Sequence, residues 1–286
     1  MRFALSLVVA GLVLTSASAT SAINQVDVFA TDYAFQLPAE LPAGATAFRL
    51  TNNGKQFHEF NVSLLKHGVT LDQFVGALKK GQPVSPMMDG SIGVLFADPG
   101  TASPSQLTTQ LLPGRDYVVI CNFQDNPKAP PHFAIGMYKR VHVHGRALPL
   151  GMAVAAPVRR NGFTVDTIVA SDYAFQFPHT VTKGPHTFLF RNAGKVRHEF
   201  NMVLLKKGMT VQRMFDLEKG GKDPFSAADT SPGVLFAPAG AKPYGQIDVD
   251  LLPGRDYAIL CTFSNDDKSP AHYKMGMFGT IHVEAQ

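Results

Sequence analysis

The chain has 286 residues and a formal net charge of +4, and 45% of its residues are hydrophobic. Its 26 basic and 22 acidic residues are spread without a long run of one sign, which excludes the basic stripe of a nucleic-acid-binding protein. We therefore expect no nucleic-acid partner and enough apolar side chains for packed cores.

Residues 1–22 have the layout of a secretory signal peptide. Arg2 precedes an apolar run over about residues 3–14, and small residues follow it. Because that run is too short to cross a bilayer, we interpret 1–22 as a cleaved leader, with an uncleaved anchor as the alternative. No later segment has the apolar length of a membrane span. The sequence thus predicts an exported protein, periplasmic or secreted.

The rest of the chain is an internal repeat with a fixed offset of 140 residues. Four phrases carry it, namely DYAFQ at 32 and 172, HEFN at 58 and 198, GVLFA at 93 and 233, and LLPGRDY at 111 and 251. Equal spacing over this length means no net insertion, which indicates two copies of one domain. We place domain 1 at 23–144, a Gly-, Pro- and Ala-rich linker at 145–162, and domain 2 at 163–286.

Short strands dominate the pattern within each copy. The runs TAFRLTNNG and HTFLFRNAG end in Asn/Gly turns, RDYVVIC and RDYAILC follow a Pro-Gly turn, and alternating runs close both copies. One stretch differs, because Thr70 and Gln73 resemble a capping box before apolar residues at helical spacing. We predict an all-β fold of two Greek-key sandwich or barrel domains, each with a short helix in a long connection.

The two cysteines of the chain, Cys121 and Cys261, lie at equivalent positions of the two copies. Equivalent points of two separately folded units do not meet within disulfide reach, so a disulfide is the weaker interpretation. Two unpaired thiols in an oxidising compartment need another protector, and a metal ion is the alternative.

Each cysteine has further potential metal donors around it in sequence. Two histidines and one methionine accompany each thiol, and the candidate ligands are His58, Cys121, His132 and Met137 in domain 1 and His198, Cys261, His272 and Met277 in domain 2. Two imidazoles, a thiolate and a weak axial thioether form the donor set of a blue copper site. Zinc stays an alternative from residue types alone, although a thioether is a poor zinc ligand. Each residue type taken singly is more often structural.

At these residues the chain resembles the cupredoxin family. The resemblance covers both copies: one His on an early strand, then Cys, a loop, His, four residues and Met near the end of the domain. It implies two type 1 copper sites held by the eight residues named above. Two features depart from the family pattern. Ten residues separate the Cys from the second His, and Glu59 and Glu199 follow the first His where many members have Asn, which puts the usual brace between the ligand loops in doubt.

The remaining histidines bear on the rival functions. Only His142 and His144 form a His-x-His pair, and neither cysteine has a neighbouring His. By comparison with the related oxidases and nitrite reductases, a second kind of copper centre cannot be assembled, which favours an electron carrier over an enzyme. We predict electron transfer to an unidentified redox partner protein through the loop histidines near the surface. Copper sequestration or delivery is the alternative, and an oxidoreductase with an added interface copper is a third. The sequence does not give the oligomeric state.

Overall fold

The computed structural model of the protein describes residues 23–145, 157–266 and 268–285. The fold is all-β, as expected. In the first copy the strands are β1 Asn24–Thr31, β2 Ala34–Gln36, β3 Glu40–Leu41, β4 Gly44–Asn52, β5 His58–Leu65, β6 Met88–Ala97, β7 Ser105–Leu111, β8 Asp116–Ile120 and β9 Tyr138–Val143. In the second they are β10 Thr164–Ser171, β11 Ala174–Gln176, β12 Thr180–Val181, β13 Gly184–Asn192, β14 His198–Leu205, β15 Ala228–Ala237, β16 Gly245–Leu251, β17 Asp256–Leu260 and β18 Phe278–Val283.

The strands form two sheets that face each other as a sandwich. The chain moves between the sheets at β3, β4, β5, β7 and β8, so strand neighbours are mostly not consecutive, as in a Greek key. Strand β1 shows why the sequence folds this way: Val26, Val28 and Ala30 alternate inward while the residues between them are more exposed. The inner faces of both copies merge into one hydrophobic core that includes Phe60 and Phe200.

Each copy carries one short helix between its fifth and sixth strands, which confirms the expectation. Helix α1 spans Leu71–Lys79 and helix α2 spans Val211–Lys219. At the start of α1, Thr70 and Gln73 bond each other's backbone N–H in the predicted capping box. Single turns of 3-10 helix occur at Ser85–Met87, His132–Ile135, Pro224–Ala227 and His272–Met275.

The two copies are joined about a pseudo-two-fold axis. The strand orders are β11-β10-β13-β16-β7-β4-β1-β2 and β12-β18-β17-β14-β15-β6-β5-β8-β9-β3. In each sheet, equivalent strands of the two copies lie at the same distance from the centre of the sheet, on opposite sides. At the joins, Leu107 pairs with its counterpart Ile247, and Val94 pairs with its counterpart Val234. The strands of the two copies therefore form one continuous sandwich, with both sheets shared between the copies.

Glycine allows the close approach of the two copies at the axis. Gly93 and its counterpart Gly233 have φ of +150° and +144°. A Cβ on Gly93 would lie 2.9 Å from the Val234 carbonyl oxygen, and one on Gly233 would meet the Val94 carbonyl oxygen in the same way. The phrase GVLFA that contains both glycines is thus part of the junction between the copies.

Two predictions fall partly outside the described residues. The proposed leader at 1–22 lies outside them, as do residues 146–156 of the proposed linker. The domain boundaries stay predictions. Among the helices that the structure describes, none has the length and apolar character needed to cross a membrane.

Candidate metal centres

The repeated motif LLPGRDY forms a turn that leads into the strand before the cysteine. Gly114 takes a φ of +67° in this turn. The Tyr117 hydroxyl then accepts the Leu112 N–H at 2.9 Å, tying the turn to the strand that follows it. Strand β8 runs on from this point and ends at Ile120, one residue before Cys121. In domain 2, Gly254, Leu252 and Tyr257 repeat the arrangement before Cys261.

The spacing from Cys to His to Met is explained by a single 3-10 turn. His132 begins the turn, and Gly136 ends it with a φ of +116°. The Met137 N–H then donates to the His132 carbonyl, while the Cys121 N–H donates to the Met137 carbonyl. The backbone is thereby closed around the site, and the same bonds join Cys261, His272 and Met277.

His58, Cys121 and His132 converge in the core of domain 1, and we call these three residues cluster 1. The Cys121 Sγ lies 3.4 Å from the His132 Nδ1 and 3.9 Å from the His58 Nδ1, and the two Nδ1 atoms are 3.2 Å apart. All three side chains are fully buried. Met137 is fully buried as well, directly after the turn that carries His132.

His198, Cys261 and His272 form cluster 2, with nearly identical geometry. The Cys261 Sγ lies 3.4 Å from the His272 Nδ1 and 3.9 Å from the His198 Nδ1, and the two Nδ1 atoms are 3.1 Å apart. Met277 is fully buried beside it. Both cysteines are free thiols, so no disulfide links the copies.

The protonation of the free clusters follows from their burial. Burial raises the pKa of Cys121 to about 12 and that of Cys261 to about 12, so both are thiols at neutral pH in the absence of metal. Burial lowers the pKa of His58, His198 and His272, which keeps these imidazoles neutral. A metal ion that binds here therefore displaces the thiol proton.

Hydrogen bonds on the far side fix the tautomer of each loop histidine. The Nε2–H of His132 donates to the Asp125 carboxylate at 2.9 Å, and the Tyr33 hydroxyl donates to the same carboxylate at 2.7 Å. With its proton on Nε2, His132 presents the lone pair of Nδ1 to the cluster. In domain 2 the Nε2–H of His272 donates to Asn265 Oδ1 at 3.0 Å, and the Asn265 side-chain amide donates to the Tyr173 hydroxyl at 2.8 Å.

Glu59 and Glu199 brace the ligand strands, which settles the doubt raised by the missing Asn. Glu59 Oε1 accepts both the backbone N–H and the side-chain amide of Asn122, the residue after Cys121. Glu199 Oε1 accepts the backbone N–H and the hydroxyl of Thr262. Each Glu backbone N–H also lies 3.4 Å from the cysteine sulfur of its own domain. The brace is thus supplied by a different side chain.

The loop histidines are less accessible than expected. His132 and His272 are at most 1% exposed, so neither imidazole edge reaches the surface. The ten-residue loop between Cys and His folds over the imidazole of domain 1, where Phe123 packs at 5.9 Å and Asp125 bonds its outer nitrogen. Loop side chains thus separate the His132 imidazole from solvent.

Several residues at the sites were missed in the sequence. The loop histidines bond Asp125 and Asn265 and pack against the rings of Tyr33 and Tyr173. Arg197 directly precedes His198 of cluster 2 and stacks on Phe263. The tyrosines had a signal in the sequence, because both belong to the repeated motif DYAFQ. In the structure both have a positive φ, 66° for Tyr33 and 64° for Tyr173. Asp125 and Arg197 lie where the repeat is broken, and only a position-by-position comparison of the two copies marks them.

Among the described residues, clusters 1 and 2 are the groups of three or more His, Cys, Asp or Glu side chains placed to hold a metal ion. His142 bonds Asp116 at 2.8 Å, and His144 lies 3.5 Å from Glu40. His142 is partly exposed and His144 is exposed, and each faces a carboxylate at the surface and not a metal cluster.

Comparison with known proteins gives structural likenesses only. No protein-family profile and no curated protein sequence matches the chain. A dithionite-reduced auracyanin from Roseiflexus castenholzii is 20% identical, with a TM-score of 0.30, over 43% of this chain and 98% of its own. A copper nitrite reductase from Nitrosomonas europaea is 14% identical, with a TM-score of 0.25, over 92% and 94%. A multicopper oxidase is 13% identical, with a TM-score of 0.24, over 91% and 88%. The assignment of the clusters rests on their geometry.

In each domain, a sandwich of Greek-key strands brings together a His from its fifth strand and the Cys, His and Met of the loop before its last strand. The chain has a cupredoxin-like fold in a tandem, two-domain form.

Proposed function

We propose that the protein holds one copper ion in each cluster as a type 1 site and carries single electrons. The observation that carries this proposal is the convergence of one sulfur and two Nδ1 atoms within 3.1–3.9 Å of one another in a fully buried pocket. Three donors bound to one ion at 2.0–2.3 Å lie about 3.3–3.8 Å from each other, so the spacing fits a metal ion.

The donor set favours copper over zinc. Soft sulfur suits Cu(I), imidazole suits both oxidation states, and bound copper supplies reversible one-electron chemistry. Met137 and Met277 offer a thioether that zinc sites do not use. The chain's own groups hold the arrangement in place: the tautomers are set by Asp125 and Asn265, and the strands by the two glutamate braces.

Rigid ligand placement is what electron transfer requires of the protein. Because the eight proposed ligands are buried, and the backbones of the Cys, the loop His and the Met of each domain are hydrogen-bonded to each other, little must move when the charge of the site changes. The carrier function implies a redox partner protein, and the loops over His132 and His272 are the surfaces closest to the clusters. We further propose that the protein is exported after removal of residues 1–22, which the intact mass of the mature protein would test.

The test is copper stoichiometry together with the visible spectrum of the oxidised protein. We expect two copper ions per chain and an intense thiolate-to-copper band, and we expect Cys121→Ser and Cys261→Ser each to remove one ion and about half of the band. One-electron reductant should bleach the band and air should restore it with copper retained. The matched control is Met275→Ile, because Met275 is 37% exposed and domain 1 has Ile135 there. A colourless or copper-free wild type would overturn the proposal, and copper that cannot be reoxidised in place would favour sequestration.

A further inference from the structure

The surroundings of the two clusters differ in charge, although the four proposed ligands and the glutamate brace are the same. The first difference lies at the outer nitrogen of the loop histidine. His132 donates to a carboxylate, Asp125, whereas His272 donates to a neutral amide, Asn265. A carboxylate acceptor makes the imidazole a stronger donor and adds a negative charge, and both effects stabilise the oxidised ion.

The second difference lies at the residue before the first histidine. Phe57 precedes His58 and packs at 4.7 Å against Phe123 and at 5.9 Å against Phe96. In domain 2 the equivalent position is Arg197, whose guanidinium carbon lies 4.2 Å from the Phe263 ring and 5.6 Å from the Phe236 ring. Aromatic faces thus hold a cation next to cluster 2 where cluster 1 has a neutral ring.

The cation reaches the cluster electrostatically. The Arg197 guanidinium stacks on the ring of Phe263, two residues after Cys261, and Asp125 accepts the Nε2–H of His132 at 2.9 Å, so each charge lies beside its own cluster. A positive neighbour favours the less positive ion, that is the reduced one, and a negative neighbour favours the oxidised one. Both differences therefore act in the same direction.

The acidic residues beside the first histidines are common to both clusters. Asp32 and Asp172 each lie 3.8 Å from the Nε2 of the first histidine. Asp266 has no acidic counterpart in domain 1, but it is exposed and accepts bonds from Lys268 and Ser269 rather than from His272. Its charge is screened by water and by its own backbone contacts.

The clusters are far enough apart for these effects to remain local. Strands β5, β6, β15 and β14 lie side by side, with His58 paired to Ala97 and His198 paired to Ala237 on opposite sides of the Val94–Val234 pair. Three strand spacings and six residues of rise put the two histidine backbones roughly 25 Å apart. At that distance a charge acts much more weakly than one beside the cluster, because the Coulomb energy falls as the distance grows.

From Asp125 and Arg197 we infer that cluster 2 is the high-potential centre of the protein and holds the electron when only one is present. The inference rests on the proposed copper function. A one-electron donor protein would reduce the chain, cluster 2 would hold the electron at equilibrium, and an oxidant protein would remove it, with no bond or proton exchanged. The electron thus has a preferred site in the chain, cluster 2, and Asp125 and Arg197 are positioning residues that set this preference.

The experiment is a redox titration of the copper-loaded full chain at neutral pH, with each centre observed alone in Cys121→Ser and Cys261→Ser. We expect the centre in Cys121→Ser, which is cluster 2, to be reduced with an equilibrium constant at least tenfold larger, which corresponds to about 59 mV for one electron. Equal potentials, or a higher potential at cluster 1, would overturn the inference while leaving the copper band, and so the proposed function, intact.

Reciprocal exchanges at the differing positions identify the cause. Asp125→Asn and Phe57→Arg should each raise the potential of cluster 1, and Asn265→Asp and Arg197→Phe should each lower that of cluster 2. Each exchange should leave the distant cluster unchanged, which serves as the internal control. A global packing effect would move both clusters or broaden the band. Exchanges that leave both potentials unchanged would also contradict the assignment.

Discussion

Domain 1 and domain 2 contain clusters of the same geometry, but the residues around the two clusters differ. Their clusters agree within 0.1 Å in the three distances that define them, and each is braced by a glutamate on the strand of the first histidine. The settings differ at Asp125 against Asn265 and at Phe57 against Arg197. The comparison teaches that ligand geometry is built by the shared fold, whereas the charge around the ligands is adjusted by side chains outside it.

The largest expected effect tests whether the two domains share one core. Phe60 and Phe200 are equivalent and fully buried in a cluster that runs through both domains. Phe60→Ala and Phe200→Ala should each lower the free energy of unfolding by about 3–5 kcal/mol, because each leaves a cavity. Since the core is continuous, either change should shift a single transition in thermal and denaturant unfolding. Two separate transitions, only one of them shifted, would show that the domains are independent; exposed Phe225→Ala is the neutral control.

An intermediate effect is expected where the junction is not symmetric. Arg160 lies 3.0 Å from Asp248, whose side chain is 1% exposed, and the position equivalent to Asp248 in domain 1 is Thr108. Arg160→Gln leaves a buried carboxylate with only neutral donors, so we expect a loss of about 3 kcal/mol of unfolding free energy. The exposed pair of Arg49 and Asp27 is the control, and Arg49→Gln should cost less than about 1 kcal/mol. Equal losses in chemical denaturation would contradict the role given to this ion pair.

The smallest effect concerns the brace that both domains share. Glu59→Ala and Glu199→Ala should each weaken copper retention at their own cluster by about 10–100-fold, because residues that orient metal ligands have effects of that size. Competition with a copper chelator measures the loss, and the band remaining from the other cluster identifies the site affected. Glu59→Gln and Glu199→Gln keep an acceptor oxygen for Asn122 and Thr262 and should retain copper better. If the alanine and glutamine variants retain copper equally well, the glutamate side chains do not brace the ligand strands.

The sequence predicted the all-β fold and pointed to the His, Cys and His side chains that converge in each copy, because both leave local signals. Alternating apolar residues indicated the strands, Thr70 and Gln73 indicated the helix start, and the 140-residue offset aligned the donors of the two copies. The sequence did not reveal that loop side chains cover His132, since its exposure depends on how that loop folds. Strand pairing at the junction was not foreseen either, because it joins residues far apart in sequence that no local pattern connects.

Asp125 and Arg197 show the same limit for the electrostatics. Each is an ordinary charged residue in a polar stretch, and its importance comes only from a contact made in the folded chain, with His132 or with Phe263. Comparing the two copies position by position reveals both, because a repeat that preserves its ligands draws attention to the places where it does not preserve their neighbours.

The pseudo-two-fold junction also limits how the repeat can assemble. The contact between the copies is isologous, because equivalent residues pair with each other, Leu107 with Ile247 and Val94 with Val234. Each copy therefore uses the same strands to bind the other. Such a contact closes after two units and cannot propagate into a fibre. The strands left at the outer edges are short, three residues in β2 and β11 and two in β3 and β12, and they offer little template for a further strand. Covalent linkage keeps the second half at a high effective concentration.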